Sequence, residues 1–262
     1  MESQIGIIGA GNMGGAFFNG LLKKYSHEQI HICDKNADKL KETITKNCCT
    51  DVNEMISKVN TLIIAVKPQS FDELMDSLKN PIDDKLIISI MAGVTLENLM
   101  KKTGSKRVVR AMPNLPVKTC KGLTGWIKSE NVGKEDSIRV REILHTVGSE
   151  LEVEDEGKLD EITALSGSGP AYFYYLTEIL YDKAIEFGFD HDEARMISEN
   201  TFSGAASIFN DDNEPARVLK EAVTSKGGTT EAALKHLEEN GFDRIFKDAL
   251  EAAKNRSKEL NN

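Results

Sequence analysis

Short apolar runs alternate with longer segments of helical spacing in the first half of the chain. Five runs rich in β-branched residues predict strands at residues 4–8, 29–33, 61–66, 86–90 and 107–112. Helical spacing appears between them at residues 13–24 and 37–45, and a loop with Pro113 and Pro116 follows the fifth run. Because strands that alternate with helices form parallel sheets, the pattern predicts an α/β domain.

The pattern changes beyond about residue 158, where strand-like runs disappear. Long helical patterns take over at residues 171–187, 191–209 and 230–239. We therefore predict two domains, an α/β domain over residues 1–157 and an all-helical domain over residues 158–262.

The predicted helix at residues 171–187 is apolar around most of its circumference. Its polar positions Glu178, Asp182 and Glu186 fall four residues apart and leave only a narrow stripe for solvent. A domain of about 100 residues can scarcely bury such a helix on several sides by itself. We therefore expect a second copy of the chain to cover it, which predicts a homodimer and leaves a larger oligomer open.

Composition and charge narrow the range of functions. The 33 basic and 42 acidic residues give a net charge of −9, the wrong sign for neutralising phosphates, so we expect no nucleic-acid partner. No apolar run approaches the roughly 20 residues that span a bilayer, and the first residues resemble no signal segment. We therefore expect no membrane partner and a cytoplasmic location. The four cysteines have neither metal-ligand nor disulfide-framework spacing and are interpreted as reduced structural thiols.

A glycine-rich segment follows the first predicted strand directly. Ile8 ends the strand, and Gly9-Ala10-Gly11-Asn12-Met13-Gly14 lead into the first helix. In a dinucleotide-binding fingerprint such glycines permit a tight turn, close approach of a pyrophosphate and close packing of helix on strand, while the helix N-terminus attracts the anion. A glycine turn without a ligand is the alternative. The strand, the spacing and a following acidic residue together favour a dinucleotide, NADPH or NADH.

The acidic residue is Asp34, twenty positions after Gly14, at the end of the second predicted strand. A carboxylate there can accept a hydrogen bond from the ribose 2′-hydroxyl of NAD, which favours NADH. Lys35 and Asn36 follow directly, and a cation at this point can accommodate the 2′-phosphate of NADPH, so the preference stays open. The competing interpretation of Asp34 is a turn-initiating residue.

A second motif, Ser225-Lys226-Gly227-Gly228-Thr229-Thr230, precedes a predicted amphipathic helix. Backbone N–H groups of a glycine-rich turn at a helix N-terminus suit a carboxylate, and a threonine hydroxyl can hydrogen-bond a neighbouring nitrogen. The motif therefore indicates a site for a small acid. From the residues alone, an ordinary helix cap explains it equally well.

Further motifs accompany these two. They are Ala65-Val66-Lys67-Pro68-Gln69, Ser89-Ile90-Met91-Ala92-Gly93-Val94, Arg110-Ala111-Met112-Pro113-Asn114 and Leu165-Ser166-Gly167-Ser168-Gly169-Pro170-Ala171-Tyr172. In order and spacing, the motifs resemble those of pyrroline-5-carboxylate reductases along nearly the whole chain. The resemblance implies a Rossmann domain joined to a helical dimerisation domain. It also implies reduction of the cyclic imino acid Δ1-pyrroline-5-carboxylate to L-proline, the last step of proline biosynthesis, with NADPH or NADH as hydride donor.

The resemblance implies roles for particular residues. Ala65 to Pro68 and Met91 to Gly93 border the nicotinamide and its ribose, and Asn53 approaches the adenosine. Ser225 and Gly228 to Thr230 hold the substrate carboxylate, and the Thr230 hydroxyl bonds the ring nitrogen as the catalytic group. The family usually has proline where this chain has Lys226. That change leaves the turn less preorganised or adds attraction for a carboxylate.

Two other functions compete with this one. A β-hydroxyacid dehydrogenase has a similar fingerprint but uses a lysine on its long helix, and residues 166–182 contain no lysine. A non-catalytic NAD(P)H sensor needs no substrate turn, whereas this chain keeps Ser225 and the Gly-Gly-Thr-Thr sequence. No metal or Ser-His-Asp constellation is evident, so we expect no metal site and structural or surface roles for the scattered histidines.

Overall fold

A computed structural model describes residues 4–41, 43, 47–211 and 214–261. These residues form two compact units. The first comprises the described residues up to Gly167 together with those from Ala253 onward, and the second is Ser168–Ala252. The division of the chain into domains at residue 157 stays a prediction.

The first unit is built on a sheet that has eight strands within the described residues. The strands are β1 Ile5–Ile8, β2 Ile30–Cys33, β3 Cys48–Cys49, β4 Thr61–Ile64, β5 Leu86–Ser89, β6 Val108–Pro113, β7 Gly122–Lys128 and β8 Gly148–Glu152. Their order is β3-β2-β1-β4-β5-β6-β7-β8, and all neighbours are parallel except β6 and β7. The order reverses direction between β1 and β4, as in doubly wound dinucleotide-binding sheets. This topology confirms the predicted parallel α/β fold.

Helices complete both units. They are α1 Asn12–Leu21, α2 Val52–Ile56, α3 Phe71–Asp76, α4 Leu96–Thr103, α5 Lys134–His145, α6 Lys158–Ile162, α7 Gly169–Glu186, α8 His191–Asp211, α9 Ala216–Ala222, α10 Thr229–Glu239 and α11 Phe242–Leu260. The described residues from 158 onward contain helices and no strand, which confirms the predicted all-helical region. Its three predicted helices correspond to α7, α8 and α10.

Some predicted elements need correction. The predicted helix at 37–45 begins as a 3-10 helix over Ala37–Leu40, and residues 42 and 44–46 lie outside the described residues. The predicted loop with Pro113 and Pro116 is the end of β6 followed by a 3-10 helix over Leu115–Thr119. Strands β3, β7 and β8 were not predicted from the sequence, because they lie at or near the sheet edges and lack continuous β-branched runs.

The central strands bury both faces of the sheet. Alternate residues point to opposite sides, so Ile7 and Ile63 contribute to one apolar layer while Ile8 and Ile64 contribute to the other. Trp126 on β7 is fully buried in the first of these layers. The two layers hold the carboxyl ends of β1 and β4 side by side.

The second unit has little core of its own. Among its described residues only Gly169, Ala184, Ala194 and Ser198 are buried. Large apolar side chains of α7 are exposed instead, among them Phe173, Tyr174, Tyr175, Ile179 and Leu180. The apolar circumference predicted for this helix is thus uncovered in the single chain, although none of the described helices is long and apolar enough to cross a membrane.

Two glycines of α1 provide a test of the packing. A Cβ at Gly20 would lie 2.5 Å from Val147 Cγ1 and 2.9 Å from the Thr146 carbonyl oxygen, whereas a Cβ at Gly15 meets nothing within 4 Å. We expect Gly20→Ala to lower the free energy of unfolding by about 1–3 kcal/mol through overpacking. Gly15→Ala should raise it by about 0.5–1 kcal/mol through helix propensity. Urea unfolding of the unliganded protein at fixed concentration measures both, and equal shifts would contradict this account of the contact.

Candidate active site

The glycine turn lies at the point where the strand order reverses. Gly9 has a φ of +105°, and a Cβ there would lie 2.7 Å from the Ala65 carbonyl oxygen. A Cβ at Gly14 would lie only 1.9 Å from the Gly9 carbonyl oxygen. Glycine is therefore required at both positions, the first for the turn and the second for close packing of α1.

The middle glycine faces open space. A Cβ at Gly11 meets no atom within 4 Å, and Gly11 caps α1 without a side-chain hydrogen bond. The first N–H groups of α1, beginning at Asn12 and Met13, thus lack a side-chain cap at a place where an anion can approach.

A cavity of about 710 Å³ opens in front of this turn. Its lining includes Ala10, Gly11, Asn12, Lys39 and Lys118. Lys118 Nζ donates a hydrogen bond to Asn12 Oδ1 at 3.0 Å, which keeps a cation beside the helix N-terminus. Open backbone, a helix N-terminus and two lysines fit the pyrophosphate of a dinucleotide. Neither Lys39 nor Lys118 was predicted from the sequence, because neither belongs to the fingerprint.

Asp34 is buried beside the same turn. Its Oδ2 accepts hydrogen bonds from Ala10 N at 2.9 Å and Lys39 Nζ at 3.1 Å, and its Oδ1 accepts one from Asn36 N at 2.9 Å. Burial favours the neutral acid, but these three donors more than offset it and hold the pKa of Asp34 below its usual value. Asp34 therefore ties the end of β2 to the glycine turn as a carboxylate.

The two residues after Asp34 are exposed. Lys35 Nζ donates to both carboxylate oxygens of Glu73 at 3.1 Å. Asn36 accepts a hydrogen bond from Asp38 N and caps the 3-10 helix that follows. The cation that contacts Asp34 is thus Lys39, whereas the sequence had suggested Lys35 as the cation for a 2′-phosphate. Contact of Asp34, Lys35 or Asn36 with a ribose stays a prediction.

Two further segments lie at the same edge of the sheet. Ala65 to Pro68 follow β4 directly, and Ala65 N donates to the Ile8 carbonyl oxygen at 2.8 Å. Met91 to Gly93 follow β5, with Met91 buried, Ala92 exposed and Gly93 at a φ of +74°. Because the carboxyl ends of parallel strands meet at one edge, both segments lie at the same edge of the sheet as the glycine turn. Their contact with a nicotinamide and its ribose stays a prediction.

Asn53 occupies a different setting at the start of α2. Its Nδ2 donates to Asp51 Oδ1 at 2.8 Å and to the Ser77 carbonyl oxygen at 3.1 Å, and its Oδ1 accepts from Lys79 N at 2.8 Å. These contacts give Asn53 a structural role between α2 and the end of α3. Its expected approach to adenosine stays a prediction.

The second motif forms a turn into α10. Gly228 N donates to the Ser225 carbonyl oxygen at 3.0 Å, and Gly227 N donates to Glu231 Oε2 at 2.6 Å. Gly228 is the N-cap and has no side chain with which to cap the helix, so neither threonine serves as an ordinary N-cap. A Cβ at Gly228 would lie 2.5 Å from Ser225 Oγ, so glycine makes room for that hydroxyl.

The groups of this turn are accessible in the single chain. Ser225 and Thr229 are exposed and Thr230 is half-buried, and the N-cap Gly228 offers no side chain to the first N–H groups of α10. An N-terminus of this kind can bind a carboxylate, and hydroxyl groups beside it can donate or accept further hydrogen bonds. Within the described residues no group of three or more His, Cys, Asp or Glu side chains is arranged to hold a metal ion.

Two family models match separate parts of the chain. The one described as Pyrroline-5-carboxylate reductase dimerisation matches residues 156–260. The one described as NADP oxidoreductase coenzyme F420-dependent matches residues 4–93. The helical region is thus similar to a dimerisation domain, and the glycine turn lies in the part similar to an oxidoreductase.

Curated relatives and solved structures cover nearly the whole chain. Pyrroline-5-carboxylate reductase 2 of Bacillus subtilis (strain 168) is 35% identical over 98% of this chain and 95% of the relative, and the Methanosarcina acetivorans enzyme is 37% identical over 99% of each. The structure of a pyrroline-5-carboxylate reductase from Coxiella burnetii has a TM-score of 0.89 at 35% identity over 99% of each chain. The Plasmodium falciparum pyrroline carboxylate reductase with NADP bound has a TM-score of 0.84 at 28% identity over 100% of this chain and 99% of that one. The chain therefore belongs to the pyrroline-5-carboxylate reductase family.

Proposed function

We propose that this protein reduces Δ1-pyrroline-5-carboxylate to L-proline with NADPH or NADH. The observation that carries the proposal is the turn at Ser225 to Thr230, which leads into a helix without a side-chain cap in a chain that also has a dinucleotide cradle. The test is oxidation of NADPH or NADH by the purified protein in the presence of the cyclic imine. A protein that binds NADPH but does not oxidise it with the imine would be a sensor.

A cytoplasmic location stays an expectation from the sequence.

The chain's own residues supply binding and orientation. The cofactor, when bound, supplies the hydride to the carbon of the C=N bond. The first N–H groups of α10 hold the substrate carboxylate, and Ser225 Oγ adds a hydrogen bond to it. The Thr230 hydroxyl bonds the ring nitrogen and holds the proton that this nitrogen needs. Such fixed positioning is the main contribution that a protein makes to hydride transfer.

Charge around Asp34 bears on the choice of cofactor. The carboxylate repels a 2′-phosphate, while Lys39, which contacts Asp34, and Lys35 nearby in the chain attract one. The structure of the Plasmodium falciparum relative contains NADP. We infer that this chain accepts both NADPH and NADH.

Two copies of the chain form the active enzyme in this proposal. The exposed apolar side chains of α7 belong to the region that matches the dimerisation model, and a second copy would remove them from water. We infer that each active site is shared, with the cofactor held by one subunit and the Ser225 turn supplied by the other.

Replacement of the proposed catalytic hydroxyl tests the substrate site. We expect Thr230→Ala to lower kcat/KM for the imine at least tenfold, or about 1.4 kcal/mol of transition-state stabilisation, with an unchanged Kd for NADPH. Thr230→Ser should recover most of the activity. Thr224→Ala is the matched control, because the Thr224 hydroxyl donates only to the Lys220 carbonyl oxygen in the preceding helix. Wild-type kinetics for Thr230→Ala at saturating cofactor would remove Thr230 from the mechanism.

A change at Asp34 tests the link between β2 and the glycine turn. An amide at residue 34 cannot accept hydrogen bonds from Ala10, Asn36 and Lys39 together, so Asp34→Asn should raise the Kd of both cofactors at least about fivefold. The variant also removes the negative charge that repels the 2′-phosphate. The Kd of NADPH should therefore rise less than the Kd of NADH. Fluorescence titration measures both, with exposed Asp76→Asn as the control. Unchanged values would show that the turn does not need the carboxylate.

The same variant has a predictable pH dependence. The pKa of Asp34 is lowered in the folded protein, so the carboxylate stabilises the fold fully at pH values above the unfolded pKa. The stability advantage of the wild type over Asp34→Asn should therefore be complete at neutral pH and vanish as the pH falls through the lowered pKa. Urea unfolding of both proteins across the acid range measures it.

Complementation tests the shared site. Gly11→Asp places a carboxylate where the pyrophosphate approaches, in open space that the fold tolerates. Thr230→Asp places one at the proposed substrate site. In co-expressed mixtures that pair at random, half of the dimers are hybrids. Each hybrid has one intact site and one site with both defects, so about a quarter of all sites, and of the wild-type activity, should return. Verified hybrids with no more activity than the separate variants would show that one chain builds the whole site.

A further inference from the structure

The end of α11 lies against the loop that follows β5. Residues from Ala253 onward belong to the first unit, although α11 begins in the second. At Gly93, whose φ is +74°, an added Cβ would lie 2.7 Å from the Leu260 carbonyl oxygen and 3.6 Å from Leu260 Cβ. The backbone of the loop Met91 to Gly93 therefore packs directly on the last residue of α11.

Arg110 connects this helix end to the start of α4. Its buried guanidinium donates from Nη2 to Asn261 Oδ1 at 2.7 Å and from Nη1 to Glu156 Oε1 at 2.6 Å. The same Glu156 oxygen accepts a hydrogen bond from Leu96 N at 2.9 Å. Leu96 is three residues beyond Gly93, so the loop after β5 is fixed on both sides by groups that converge on Arg110.

Asp160 also contacts the end of α11. It is buried, and its Oδ1 accepts hydrogen bonds from Asn261 Nδ2 at 2.8 Å and from Ser257 Oγ at 2.6 Å. The amide of Asn261 thus joins a buried cation to a buried carboxylate. Removal of the amide would leave both charged groups with fewer partners, which is costly in a buried network.

We propose that Asn261 and Ser257 are positioning residues that hold the loop Met91 to Gly93 in the form that binds the nicotinamide end of the cofactor. The proposal rests on the proposed function for the identity of that cofactor. Neither side chain needs to touch the cofactor, because both act through Arg110, Asp160 and the backbone of Leu260.

Asn261→Ala tests the proposal against Asn255→Ala, the same change at an exposed position of α11. Hydrogen–deuterium exchange of the unliganded proteins reports the loop directly. We expect the amides of residues 92–96 to exchange at least about fivefold faster in Asn261→Ala, the effect of one net hydrogen bond. The Kd for NADPH by fluorescence titration should rise by a similar factor, while kcat at saturating NADPH changes less than about twofold. Asn255→Ala should behave as the wild type.

Two outcomes would overturn the proposal. Asn261→Ala could lose thermal stability while loop exchange or the NADPH Kd stays unchanged, which would make the network merely structural. Alternatively, Asn255→Ala could show the same changes, which would indicate general loosening of α11.

If Asn261→Ala does not fold, Ser257→Ala decides the question, with Ser257→Thr as the variant that keeps the hydroxyl and should restore binding. Failure of the wild type to reduce the imine would contradict the proposed function and leave the exchange comparison intact.

Discussion

The close packing of the glycine turn after β1 against its neighbouring backbone determines the geometry of the proposed dinucleotide site. The turn after β1 lies so near Ala65 and α1 that a single added carbon at Gly9 or Gly14 would overlap a carbonyl oxygen. This contact sets where α1 begins, and so where its N–H groups are available to an anion. Asp34 adds the end of β2 to the same turn through Ala10 N. Three strand ends are thus fixed relative to one another before any ligand arrives, which reduces the ordering that binding requires.

The helical unit, in contrast, is not fixed by close packing within the single chain. Its helices have few buried side chains and leave aromatic rings of α7 in water, so its stability depends on a surface that the single chain does not provide. The turn at Ser225, where we propose that the substrate binds, belongs to this unit and precedes α10. In the proposed dimer, a site at this turn is complete only when the partner subunit holds the cofactor. Folding, assembly and catalysis are therefore coupled in the proposed dimer.

The sequence allowed the central strands and the glycine turn to be predicted because burial on both faces and backbone geometry each leave a local pattern. Strands β7 and β8 escaped prediction since their residues mix polar and apolar types near the sheet edge. Lys39 became visible as a partner of Asp34 only in three dimensions, and the contact of Arg110 with Asn261 joins residues 151 positions apart. Such contacts depend on tertiary packing, which no local spacing encodes. The roles of Ser225 to Thr230 came from resemblance, because the residues alone fitted a helix cap equally well.

Trp126 gives the molecule a built-in optical reporter. It is the one tryptophan in the sequence, it is fully buried on β7, and its Nε1 donates to Glu150 Oε2 while the Arg141 guanidinium lies 5.7 Å from its ring centroid. Tryptophan emission therefore reports the sheet unit alone. Tyr172, Tyr174, Tyr175 and Tyr181 all belong to the helical unit, so tyrosine emission reports mainly on that one. Two wavelengths on an unmodified protein can thus resolve whether its two units melt as one cooperative body or in separate steps.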